Sequence, residues 1–185
     1  MQDRITLKSC LAIILISAAV AIGLNNIISF INLAEYSKSY QKTAELLYAP
    51  SFPKQILYFG ICVPIIEELI FRGFLFQFLR KRVSFVVAMF GSAVVFGLYH
   101  GNLVQFVYAT ICGLLLAYFC EKCHSVLASV LSHMSMNIVV CTMVYVKGFE
   151  WILGDMGRAI VFTGLCTALV LLGLRYSSKW MLQKC

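Results

Sequence analysis

The stretch Val63-Pro64-Ile65-Ile66-Glu67-Glu68-Leu69-Ile70-Phe71-Arg72 sets two carboxylates and a guanidinium inside a run that is otherwise largely apolar from Gln55 to Leu79. Ionisable groups at membrane depth cost roughly 3 kcal/mol or more each, so they are rare there and face a bundle interior or a water-filled cavity. The run therefore reads as a membrane-spanning helix that carries a site. Glu68 and Arg72 are four residues apart and stack on one helix face, while Glu67 is rotated about 100° from Glu68. Glu68 can pair with Arg72, which offsets its desolvation and keeps it charged, leaving Glu67 to point at a cavity. A charge pair that only locks helix packing is the alternative for Glu68 and Arg72. Pro64 removes a helix hydrogen bond and is expected to kink the span toward the cavity.

The rest of the chain agrees with a bilayer setting. Of its 185 residues 61% are hydrophobic and 12% charged, against about 25% charged in soluble domains. Spans of about 20 apolar residues are expected near Ser9–Leu33, Gln55–Leu79, Val83–His100, Leu103–Cys120, Ser125–Val146 and Met156–Tyr176. Only helices or closed barrels satisfy every backbone group in hydrocarbon, and these runs lack the two-residue alternation of a barrel. The expected fold is all-α: a polytopic transmembrane helix bundle of about six spans. A single integral membrane domain over 1–185 is expected, with its motif-bearing core at about 55–147. Ala34–Lys54 reads as the longest and most polar connection, kept out of the second helix by Pro50 and Pro53.

The net charge of +7 does not indicate nucleic acid, because the basic residues are spread over termini and short connections and form no stripe. They orient the chain instead. Arg4, Lys8, Arg80, Lys81, Arg82, Lys122, Arg175, Lys179 and Lys184 fall on one side; Lys38, Lys42, Lys54, Lys147 and Arg158 fall on the other. A multi-pass protein of the cell membrane with both termini cytoplasmic is expected. This topology sets His100 near the outer end of its helix, with Glu67 and His133 deeper; unequal tilts or a sunken helix end would reconcile them.

Arg4, Lys8 and Ala19-Val20-Ala21 also fit a cleaved signal peptide. The apolar run continues through Ile27, Ile28 and Ile31, which favours an uncleaved first helix. Cys120-Glu121-Lys122-Cys123-His124 spells the C-x-x-C-H pattern of haem attachment. That chemistry belongs to the oxidising side, whereas the charges place this turn inside. Cys10, Cys62, Cys112, Cys141 and Cys166 lie in apolar runs and read as packing residues. Cys185 lacks the three following residues that prenylation requires.

Two more polar pairs follow Glu67-Glu68. Phe96 and His100 share one helix face, as do His133 and Asn137. Asn137 beside an imidazole suits a developing oxyanion, and His100 can share the proton of a water polarised by Glu67. The plainer reading of a helix-end histidine, an interface residue bonded to backbone or headgroup, is assigned to His124.

Glu67-Glu68-x-x-x-Arg72, Phe96-x-x-x-His100 and His133-x-x-x-Asn137, in this order on successive hydrophobic helices, resemble the three motifs of the CPBP family. This family holds type II CAAX prenyl endopeptidases and bacteriocin-processing or immunity proteins, and is also called Abi. The resemblance implies an intramembrane endopeptidase in which Glu67 and His100 activate water, His133 and Asn137 stabilise the oxyanion, and Glu68 and Arg72 support the site. It implies a peptide or membrane-protein substrate, such as a bacteriocin or signalling-peptide precursor, or a role in self-immunity, and no cofactor. Two other classes stay open: a zinc peptidase using Glu67, His100 and His133 as ligands, and a transporter using the same residues as a proton or ion path. Zinc ligation leaves Asn137 unexplained and no H-E-x-x-H segment is present; the transporter reading lacks the broken repeat segments expected of it.

Overall fold

A computed structural model describes residues 6–33, 35 and 37–181, with the backbone alone from 178 onward. Arg4, Ala34, Lys184 and Cys185, used above for charge, the first connection and prenylation, lie outside the described residues, and the side chain of Lys179 is likewise not described.

The chain is a polytopic helical bundle, with no strand among the described residues. Helix α1 is Leu7–Phe30 and α2 is Lys38–Tyr48. Helix α3 is continuous over 52–80 but changes register twice, with π-helical stretches at Ile56–Cys62 and Leu69–Phe76. Helix α4 is Phe85–Tyr99, α5 Leu103–Lys122, α6 Val126–Tyr145, α7 Gly148–Leu153 and α8 Met156–Met181. Helices α1, α5, α6 and α8 are each long and apolar enough to cross a membrane, and α4 is a shorter apolar helix. Side-chain oxygens of Thr6, Ser37, Ser84, Asn102 and Ser125 accept backbone N–H groups at the starts of α1, α2, α4, α5 and α6, satisfying donors that have no partner within the helix.

Two features depart from the sequence expectation. The connection Ala34–Lys54 contains α2, which Ser37 caps; its overall polarity hides an apolar stripe of Tyr40, Ala44, Leu47 and Tyr48 at helical spacing. The second span is not a uniform α-helix. The Val63 N–H reaches back to the Tyr58 carbonyl, five residues away instead of four, and such π stretches occur frequently at functional sites.

Helix α6 is central, packed against α1, α3, α5 and α7, while α4 and α5 pair closely with each other. Ile13, Ile16, Cys112, Leu115, Phe119 and Met136 fill the space between α1, α5 and α6. Ile13, Ile16 and Ala21 have essentially no exposed surface, so α1 is a full member of the bundle. Phe71, Phe96, Ala109 and Leu116 make a second cluster between α3, α4 and α5. Cys120, from the C-x-x-C-H pattern, is buried with Phe76, Ala88 and Ala117, and His124 is exposed at the turn. Cys10, Cys62, Cys112, Cys120, Cys141 and Cys166 are free thiols.

Candidate active site

The three motifs come from α3, α4 and α6, and their polar side chains meet. Glu67, His100, His133 and Asn137 all line one cavity of about 290 Å³. Glu68 and Arg72 do not reach it; both are fully buried, whereas Glu67 and His133 keep 8% and 6% exposure.

Behind the cavity wall, Glu68 Oε1 accepts from Arg72 Nη1 at 2.9 Å and from His133 Nδ1 at 3.0 Å. The first contact is the four-residue pair expected from the sequence. The second joins residues 65 positions apart, which no local pattern could indicate. Arg72 Nη2 donates to the Gly113 carbonyl at 3.0 Å, and the guanidinium sits 4.5 Å from the centre of the Phe96 ring. The carboxylate, the carbonyl and the ring face together compensate a cation removed from water. A Cβ on residue 113 would come within 3.1 Å of both Arg72 Nη2 and Ala93, so glycine lets the helices and the guanidinium approach without crowding.

Phe96 has a larger part than its sequence spacing indicated. Its ring packs edge-on against His100 and His133, with centroids 4.9 and 5.7 Å apart, while Arg72 covers its face. It thus touches the guanidinium and both imidazoles of the motifs.

The tautomers follow from the partners. His100 Nδ1 lies 2.9 Å from the Phe96 carbonyl, which can only accept, so Nδ1 carries the proton and Nε2 is left as the basic nitrogen. His133 Nδ1 donates to Glu68, and its Nε2 lies 3.7 Å from Glu67 Oε2. Glu67 therefore has an imidazole neighbour from α6 that its own helix could not supply. Asn137 Nδ2 donates to the Phe59 carbonyl at 2.8 Å, which fixes the amide's orientation and leaves its second N–H available.

His100 reaches this depth because α4 stops early. Gly101 adopts φ +74°, a left-handed conformation that glycine takes without a Cβ penalty and that commonly closes a helix. His100 is the last residue before that turn, and Asn102 then starts α5. In the bundle His100 lines the same cavity as Glu67 and His133.

The remaining walls were not anticipated. Helix α2 contributes Tyr40, Ala44, Leu47 and Tyr48, α1 contributes Asn25 and Ile28, and α5 contributes Gln105 and Tyr108. Burial raises the Tyr40 and Tyr48 phenols above their ordinary range, so both hydroxyls stay neutral. The apolar stripe of α2 was the sequence signal for this cover. Among the described residues, no group of three or more His, Cys, Asp or Glu side chains is placed to hold a metal ion.

Comparison with known proteins bears on the same stretch. Residues 49–139 match the family model described as Type II CAAX prenyl endopeptidase Rce1-like. The chain carries an Rce1-like segment. All six polar residues of the site, from Glu67 to Asn137, fall within it. The chain is also similar to a Bacillus subtilis (strain 168) protein named "Putative membrane peptidase YdiL", with 31% identity over 91 residues. That alignment covers 49% of this chain and 37% of the relative, so the likeness spans little more than a third of the relative's length. No solved structure matches the chain.

Proposed function

We propose that this protein is an intramembrane endopeptidase of the cell membrane that hydrolyses a peptide bond of a peptide or membrane-protein substrate, with both termini cytoplasmic. The observation that carries the reading is the convergence of Glu67, His100, His133 and Asn137, from three helices, on one cavity; the Rce1-like match over the same residues supports it.

In this reading a water held between Glu67 and His100 Nε2 attacks the scissile carbonyl, and Glu67 takes its proton. The resulting oxyanion receives hydrogen bonds from the second Asn137 N–H and from His133 Nε2. His133 must then carry both ring protons, one directed to Glu68 and one to the oxyanion. Collapse of the tetrahedral intermediate breaks the C–N bond, and Glu67 returns its proton to the leaving amine. Glu68 and Arg72 are positioning residues that hold His133. No metal is required. A bacteriocin or signalling-peptide precursor, or a CAAX-type peptide, fits the substrate class.

The test is cleavage of a quenched fluorogenic peptide library by purified protein in liposomes. Cleavage by the wild type that Glu67→Gln eliminates is the expected result; equal turnover of the two proteins would overturn the reading.

A further inference from the structure

Asn137 reaches a backbone carbonyl inside α3, and a helix interior does not normally offer one. In an α-helix the Phe59 carbonyl would accept from the N–H of residue 63, but that N–H is directed to Tyr58. In the π register that replaces it, the donor belongs to residue 64, and residue 64 is proline. Proline has no N–H. The Phe59 carbonyl is left without a helical donor, and the Asn137 amide supplies one at 2.8 Å.

A second observation shows that α3 and α6 are shaped for this contact. A Cβ on residue 60, next to Phe59, would lie 3.0 Å from Ile138 Cγ1. Gly60 is buried, so the missing side chain lets residues 137 and 138 approach the α3 backbone.

We infer that Pro64 is a positioning residue for Asn137: by withholding a backbone N–H it frees the Phe59 carbonyl to orient the amide toward the cavity. The proline's purpose is then its missing donor more than the kink expected from the sequence. The inference rests on the endopeptidase reading for what Asn137 does, but the hydrogen bond can be tested without activity.

Pro64→Ala restores the N–H, which competes with Asn137 for the Phe59 carbonyl. Pro64→lactate, an amide-to-ester replacement, removes the ring yet still lacks the N–H. With selective ¹⁵N-asparagine labelling, and Asn137→Ala to assign the side-chain resonances, Pro64→Ala should shift the bonded Asn137 proton upfield toward a free amide, and Pro64→lactate should leave it in place. In the peptide assay Pro64→Ala should lower kcat about 10- to 100-fold with KM little changed, as expected for a misplaced catalytic group. It should cost nothing further in an Asn137→Ala background. Melting does not decide the role, because Pro64→Ala exchanges one hydrogen bond for another and trims a fully buried ring. An unshifted resonance in Pro64→Ala, or a lactate variant that behaves like the alanine variant, overturns the inference. Absence of cleavage by the wild type defeats the endopeptidase reading alone, since the resonance measurement still decides the role of Pro64.

Discussion

Glu67 opens onto the cavity and Glu68 is sealed behind it, although one peptide bond separates them. The roughly 100° between successive helical residues sends them to different surroundings. Glu68 has a permanent cation and an imidazole against one oxygen, whereas Glu67 meets an imidazole nitrogen at 3.7 Å. A carboxylate held in that way is a fixed structural charge, and one left loosely contacted at a cavity is available for proton transfer. In the proposed endopeptidase, two identical residues take two duties from the helix they share.

The contrast is broken most directly by removing each carboxylate in turn. Glu67→Gln keeps the shape but cannot accept a proton, and turnover should fall by about 10⁴-fold, the upper end for a general base, with detergent melting unchanged. Glu68→Gln should instead destabilise by about 3–5 kcal/mol, because Arg72 is left as a buried cation without its counter-charge; melting temperature and turnover both fall. Equal activity loss with unaltered melting in the two variants would end the division of labour.

Asn137→Ala should lower turnover by about 10²–10³-fold with little change in substrate affinity, the pattern of a donor used in the transition state. Asn137→Asp should be worse, since a carboxylate repels the developing charge. Near wild-type turnover in Asn137→Ala would remove the oxyanion assignment. On the sealed side, Gly113→Ala pushes against both Arg72 and Ala93 and should cost about 1–3 kcal/mol of stability, read by melting. The smallest expected effect is that of exhaustive chelation, which should leave turnover intact. Loss restored by added zinc would recast His100 and His133 as ligands.

Much of the bundle was legible because each long helix is a continuous apolar run, and the site was legible because polar residues stand out against it. The Glu68–Arg72 pair could be read because both partners lie one turn apart on a single helix. The Glu68–His133 and Asn137–Phe59 contacts could not, since each depends on how α6 packs against α3. The π stretches were equally hidden: nothing in the composition of Ile56–Cys62 or Leu69–Phe76 marks a register change, which shows only in hydrogen bonding. Helix α2 was passed over because Lys38, Gln41, Lys42 and Glu45 dominate its composition, although Tyr40, Ala44, Leu47 and Tyr48 trace one face.

The early stop of α4 also affects the surrounding lipid. Fifteen residues extend roughly 22 Å, against a hydrocarbon slab of roughly 30 Å. The outward side chains Val86, Val87, Phe90, Val94, Val95 and Leu98 match acyl chains only over that shorter height. Lipids beside this flank must compress or splay to meet it, at a cost of fractions of a kcal/mol per Å. A leaflet meeting this flank would thin next to His100, and headgroups and their hydration would descend toward the cavity that His100 lines. Bilayer thickness would then be a setting for this protein, with thin membranes bringing solvent nearer to the cavity and thick ones straining the helix that ends at His100.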